Sequence, residues 1–393
     1  MQRTLRFAQH LPKYGWRPIV LTAAPRAYQS AAVDVGNELP ADLRVERAFC
    51  LDTARHLSLF GRYPRRLAVP DRWATWRSWA VRKALKLTRA EAIDVLWSTF
   101  PIATAHLIGL EVARRTGLPW VAEFRDPMWQ GDYPPDPVIN RSWLGLERRT
   151  LASASRIVVT TPGAIDLYRE RYPQTPRKSL LLIENGFDEE TFARLSPAQP
   201  HSVDPARPFT LLHSGVIYSK ERDPTQLFEA LAQLKRAGRL TSRQFRLVLR
   251  ASGNEADFKQ RVVNAGIDDL VSFLPATDYL EALREMRDSD ALLLLQASDC
   301  NSQIPAKLYE YLRAGRPILA LTDPVGDTAR AVQRAGAGHI ARLDQADGIA
   351  QALMDFIPAV RAGTAPQPSP DVVSNYSRES QTRQLAGYFD EVL

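Results

Sequence analysis

The sequence predicts an α/β protein made of two doubly wound halves, each a parallel sheet with helices on both faces. Three observations predict it. Short, continuous apolar runs recur along the whole chain, as in strands buried on both faces. Segments with helical apolar spacing lie between them. A break with four prolines, SPAQPHSVDPARP at 196–208, interrupts this rhythm, which then starts again. Alternating strand and helix is the pattern of parallel βαβ units. At 393 residues the chain is long enough for two domains, each with its own core.

The first element is a helix over 3–13, stopped near Gly15, that leads directly into a strand at Ile19-Val20-Leu21. In a doubly wound sheet such a helix is a crossover from an earlier parallel strand. The reading is therefore that the chain starts late and lacks its first strand and the turn after it. Further strands are expected at Val95-Leu96-Trp97, Trp120-Val121-Ala122, Ile157-Val158-Val159 and Leu180-Leu181-Leu182-Ile183, with helices over 102–116 and 162–171. After the break, strands are expected at 209–213, 245–249, 291–295 and 317–321, with helices such as 224–235 between them. A second proline-rich stretch, 363–370, precedes a final amphipathic segment, 376–393. The divisions that result are a first domain over 1–198, a second over 209–365 and a terminal helix over 374–393, with a cleft between the domains.

Composition narrows the function. No apolar run reaches the roughly 18–20 residues of a membrane span, and the polar, Arg-bearing start is unlike a secretory leader. Cys50 and Cys300 are too few and too far apart for a disulfide framework or a zinc site. The expectation is a reduced cytoplasmic protein. The net charge of +7 is concentrated: 62–91 holds nine basic and two acidic residues. That points to one anionic partner surface.

The second half carries the sharper chemical signal. Phe209-Thr-Leu-Leu-His213-Ser214-Gly215 reads as a strand entering a tight turn, and Lys220, Glu221 and Arg222 follow before a helix begins. Ligands of open α/β sheets bind beyond the carboxyl ends of the strands, where backbone amides favour phosphate. Lys220 and Arg222 suit a diphosphate there; solvated loop charges are the alternative. Further on, Asn301-Ser302-Gln303-Ile304-Pro305-Ala306-Lys307 opens a helix after the strand at 291–295. Lys307 falls in the first turn, where the helix dipole disfavours a cation unless an anion is bound. Glu310 lies on the same face at i+3. The pair suits a phosphate and a ribose diol, against the alternative of an exposed Lys–Glu pair.

Together, HSG…KERDP and IPAKLYEYLRAGRPILAL resemble the donor half of the GT-B glycosyltransferases, family 4 and its relatives. DVLWSTFPIATAHLIGLEVARRTGLPWVAEFRDPMW resembles the acceptor half, so the resemblance covers nearly the whole chain. It implies two Rossmann-like doubly wound domains facing a cleft, with the terminal helix packing back toward the first. It also implies retaining transfer from a UDP- or GDP-sugar held by the second domain to a glycan or lipid-linked acceptor, in cell-surface polysaccharide or glycoconjugate synthesis. By motif position Gly215, Arg222 and Lys307 would hold the diphosphate and Glu310 the ribose, while the backbone of 273–275 resembles the segment flanking the base. Glu310 matches the second glutamate of the family's paired motif. The first has no counterpart, because Ser302 stands there. Contacts to the donor sugar are then expected from Asn301, Ser302, Gln303 and Ile304.

In the first half, Glu123-Phe-Arg125-Asp126-Pro-Met-Trp129 follows a strand and is expected at the cleft. Arg125 stands where relatives place a catalytic histidine, with Asp126 adjacent. Asp126 is read as orienting the acceptor hydroxyl and Arg125 as meeting an anionic group; an internal Arg–Asp pair is the competing reading. His106 falls mid-helix and reads as structural. As in the family, front-face displacement lets the leaving diphosphate take the acceptor proton, so neither a protein nucleophile, a metal nor a cofactor is required. The one D-x-D match, Asp288-Ser-Asp290, precedes a strand instead of following one.

The basic stretch interleaves Trp73, Trp76 and Trp79 with Arg72, Arg77, Arg82, Lys83 and Lys86. An amphipathic helix of this kind suits peripheral docking at an anionic inner-membrane face; tryptophans packed inward along a cleft are the alternative. Nucleic acid is not expected, since nothing else supports it. Two rival functions remain: a sugar-nucleotide epimerase, which shares the fold, and a non-catalytic or truncated nucleotide-sugar binder.

Overall fold

The computed structural model describes residues 2–28, 39–40, 42–60, 62–195, 207–219 and 221–393. Lys220 and residues 196–206 of the proline-rich break lie outside the described residues. The chain divides into two compact units, Met1–Glu184 with Arg378–Leu393, and Asn185–Ser377.

In the first unit, the helix Gln2–His10 continues as a 3-10 turn, Leu11–Tyr14, and ends at Gly15 with φ 81°. Strand β1 (Ile19–Ala23) pairs in parallel with β2 (Arg44–Ala48). Strands β3 (Leu96–Thr99), β4 (Trp120–Phe124), β5 (Arg156–Val159) and β6 (Leu180–Leu182) form a separate parallel sheet in that order. The unit thus has two ladders where the sequence suggests one rhythm. Leu21 of β1 and Leu96 of β3 join them by packing on a shared cluster with Trp76, Ala80, Ile108 and Val112.

Strand β4 is buried at every residue, and its alternation decides what covers each face. Trp120, Ala122 and Phe124 face Trp143, Leu146 and Tyr168. Val121, with Val158 and Ile183, faces Phe7 and Leu11 from the start of the chain and Leu385, Ala386 and Phe389 from the helix Arg378–Asp390. The terminal helix is therefore part of the first unit. Burying a side chain of this size stabilises by about 1.5–3 kcal/mol, so this helix is a principal cover of the sheet.

The second unit is one six-stranded parallel sheet in the order β12-β11-β10-β7-β8-β9. Its strands are β7 (Phe209–Ser214), β8 (Phe245–Arg250), β9 (Val271–Leu274), β10 (Ala291–Leu295), β11 (Ile318–Leu321) and β12 (Gly338–Ala341). Leu211, Leu247 and Leu293 point into one core cluster, and Leu212, Val248 and Leu292 into the other. Residues 185–195 belong here, whereas the sequence assigns them to the first domain; Phe187, Phe192 and Leu195 pack with Leu212 and Tyr309. The winding direction reverses between β7 and β10, which makes that boundary the switch point where such sheets bind ligands. Among the described residues no helix is long and apolar enough to cross a membrane.

Candidate functional site

Two segments emerge side by side at the switch point of the second unit: the turn after β7 and the segment 296–307 after β10. Gly215 follows the last residue of β7 with φ 101°, which a side chain strongly resists. A Cβ built there would lie 3.2 Å from Nζ of Lys307. Lys307 opens the helix Lys307–Ala314, and its Nζ donates to Nε2 of His213 at 2.9 Å. His213 is fully buried, and its Nδ1 donates to the carbonyl of Leu293 at 3.0 Å. With one ring nitrogen donating and the other accepting, the imidazole is neutral. Burial, then the charge of Lys307, pushes His213 well below its ordinary pKa. Burial, reinforced by Arg222 and partly offset by Glu310, pulls Lys307 down to about 7.

Other side chains fix this arrangement. The Tyr311 hydroxyl accepts from the Ser214 amide at 2.9 Å, which ties the helix to the end of β7. Glu310 accepts from the Tyr279 hydroxyl at 2.7 Å. Arg222 donates from Nη1 to the Val216 carbonyl at 3.2 Å and lies over the Tyr218 ring, while its buried Nε has no hydrogen-bond partner among the described residues. The structure thus brings Gly215, Lys307, Arg222 and Glu310 together around the end of β7, and Lys220 lies outside the described residues.

The segment 301–304 is largely committed to scaffolding. Asn301 donates from Nδ2 to Asp323 at 2.8 Å, and its carbonyl accepts from the Asp327 amide. The Gln303 amide donates to the Cys300 carbonyl, and its own carbonyl accepts from Thr328. The Ile304 side chain is buried in the core. Ser302 is half-buried. Asp290 of the D-x-D match is wholly buried and holds Arg207 and the Thr210 amide, while Asp288 pairs with Arg287 at the surface.

In the first unit, the turn after β4 is rigid while two of its side chains are left open. The Arg125 carbonyl accepts from Thr160, the Met128 amide donates to the Tyr168 hydroxyl, and the Trp129 amide donates to Glu147 at 2.9 Å. Glu147 is fully buried and also takes Arg171, Tyr168 and Tyr172. Among the described residues, Arg125 and Asp126 make no ion pair or side-chain hydrogen bond, so the internal Arg–Asp pair is not formed. Asp126 is exposed, yet crowding by protein atoms raises its carboxyl pKa against the pull of Arg125. His106 is buried in an aromatic cage with Ser98 Oγ on Nδ1 at 2.8 Å, and burial pulls it down to about 3.

Three positions here escape sequence reasoning. His213 is legible only as a polar residue near the end of a strand whose core-facing residues are Phe209, Leu211 and Leu212. Glu147 and Arg3 look like surface charges until the tertiary structure buries them. Arg3 donates to Glu123 at 2.9 Å with both side chains buried. Among the described residues no group of three or more His, Cys, Asp or Glu stands placed to hold a metal ion.

Residues 2–186 match the family model of a glycosyl transferase 4-like domain. No curated protein matches the chain. Among solved structures, Anabaena HepE in complex with UDP-glucose matches at TM-score 0.66 and 14% identity, over 99% of this chain and 95% of that one. WaaG, a glycosyltransferase involved in lipopolysaccharide biosynthesis, matches at 0.60 and 15%, over 99% and 95%. A UDP-N-acetylglucosamine 2-epimerase matches at 0.57 and 14%, over 99% and 93%.

Proposed function

We propose, from the premise that the chain is a glycosyl transferase 4-like protein of the GT-B fold, that it moves a sugar from a nucleoside diphosphate donor to an acceptor hydroxyl. The observation that carries this reading is the ammonium of Lys307 seated over Gly215 at the switch point, with Arg222 beside it and Glu310 one turn on. Two cations at the strand ends suit a pyrophosphate. They would stabilise the charge that builds on the leaving diphosphate, which is the electrostatic part of catalysis. HepE, crystallised with UDP-glucose, makes UDP-sugars the first donors to test.

Retention, the family's stereochemistry, is part of the proposal, as is a reaction without metal or cofactor. Asp126 then orients the acceptor hydroxyl from a rigid turn, and Arg125 meets an anionic group on donor or acceptor. The acceptor is a glycan or a lipid-linked glycan at the inner membrane face, in polysaccharide or glycoconjugate synthesis. For such an acceptor, the basic stretch offers a docking surface: Tyr63, Leu67 and Trp79 are exposed among Arg62, Arg65, Arg66, Arg82 and Lys86, and Leu59 and Phe60 are exposed just before it. Trp73 and Trp76 instead pack toward the first unit's core.

A panel of UDP- and GDP-sugars with isolated glycan and lipid-linked acceptors tests the reading, and the anomeric configuration of the product reports retention. The epimerase match supports a second reading, in which a sugar nucleotide is epimerised without any acceptor. Formation of that epimer would displace the transferase proposal. Nucleotide binding with no transfer to any acceptor would favour a non-catalytic binder.

A further inference from the structure

We propose that a nucleoside diphosphate binding at Gly215 draws one proton from solvent onto Lys307, and that His213 is the positioning residue holding the amine ready for it. This deepens the donor-site reading and rests on it.

The geometry is specific. Among the described residues Lys307 Nζ has one buried acceptor, Nε2 of His213 at 2.9 Å, and His213 is held in the accepting tautomer by its bond to the Leu293 carbonyl at 3.0 Å. An imidazolium could not accept from Lys307 and would repel it, so the pair stays in register only while His213 is neutral. On its other side Nζ faces the bare backbone of Gly215. The groups around it are a permanent cation, Arg222, from the turn after β7; the Glu310 carboxylate on its own helix, held by Tyr279; and the protonated Tyr311 hydroxyl, which accepts from Ser214. In the empty site the ammonium is poorly solvated and crowded by Arg222, so the neutral amine competes near neutral pH. An arriving diphosphate supplies the missing counter-charge. The Nζ lone pair then takes a proton from buffer, and the ammonium donates to phosphate oxygen while keeping its bond to His213.

The linkage has a definite sign. Above about pH 7 the empty site loses its proton while the occupied site keeps it, so affinity falls as pH rises, by about tenfold per unit.

Calorimetric titration of UDP at pH 8 in two buffers of different ionisation enthalpy counts the protons taken up. At that pH the terminal phosphate, with a second pKa near about 6, is already ionised. The expected result is uptake approaching one proton per UDP. Lys307→Arg keeps a cation that does not titrate; it should bind UDP with no uptake and with affinity flat from pH 7 to 9. His213→Gln, which can both accept from Lys307 and donate to Leu293, should retain the uptake. His213→Phe, if it folds, should weaken binding at pH 7 by about tenfold. If UDP binds the wild type without proton uptake at pH 8, or if Lys307→Arg takes up as many protons as wild type, the proposal is overturned and the donor site stands. If neither UDP nor GDP binds, both fall together.

Discussion

Arg3 and Glu123 are separated by 120 positions, yet they meet in a buried ion pair at 2.9 Å. Arg3 spends its other donors on the carbonyls of Ile183 and Glu184, at 2.8 and 2.7 Å. The second oxygen of Glu123 accepts from Thr99 at 2.7 Å. The two side chains together thus tie the opening helix to β3, β4 and the segment after β6. Removing one partner leaves an uncompensated buried charge, at a cost of about 3–5 kcal/mol. Arg3→Met and Glu123→Gln should each lower the unfolding free energy of the first unit by that much, and the double variant Arg3→Met, Glu123→Gln should lose less than the two single effects added. Additive losses would show that the pair does not act as a unit.

Donor binding should depend on the two cations of the second unit. Lys307→Ala and Arg222→Ala are each expected to weaken UDP or GDP binding by about 1.5–3 kcal/mol, the worth of a charged hydrogen bond. Unchanged calorimetric affinity in both variants would remove the basis for the donor site.

Asp126 stands open on a turn whose backbone is fixed through Thr160, Tyr168 and Glu147. Asp126→Ala should therefore cut kcat by about 10²-fold, the cost of a misplaced reacting group, while donor affinity stays the same. A parallel fall in donor affinity would contradict an acceptor-side role.

Burial depresses His106 to about 3 in the folded state, whereas an unfolded histidine titrates near about 6.5. Between those values only the unfolded chain binds the proton, so stability falls as pH drops from about 6.5, by about 1.4 kcal/mol per unit. Above that window neither state is protonated and the effect vanishes. His106→Gln should unfold with a shallower pH dependence from 6.5 to 4.5, followed in the first unit's transition. An unchanged slope would mean that the folded imidazole does accept a proton.

Phe60 is 97% exposed and Leu59 72%, with three arginines close behind them in sequence. Leu59→Ser with Phe60→Ser should reduce sedimentation with anionic phospholipid vesicles severalfold, and neutral vesicles should bind neither protein. Equal binding of wild type and variant would place any membrane contact elsewhere.

The sequence shows its fold most clearly where strands are buried on both faces. Ala291–Leu295 announces itself because all five residues are apolar and buried, and Trp120–Phe124 because only Glu123 interrupts a run that is otherwise apolar and buried. Strand β2 escapes the reading because Arg44-Val-Glu-Arg-Ala carries charges, which its place at a ladder edge lets water solvate. The candidate donor residues are legible because Gly215, Lys307 and Glu310 sit at fixed offsets from strand ends. His213 is not, because only the fold brings β7 against β10 so that Leu293 can fix its tautomer. Asn301 is only half committed by the fold: its Nδ2 donates to Asp323, while its buried Oδ1 has no hydrogen-bond partner among the described residues.

Because Leu385, Ala386 and Phe389 lie against Val121, Val158 and Ile183, the first unit is discontinuous in sequence, and the second is in effect a guest between its two pieces. A fragment cut at Glu184 would leave a greasy stripe of sheet facing water, an invitation to aggregate. Dissecting this protein therefore calls for excising the guest and splicing the host, so that the two helices at the ends of the chain can still find each other.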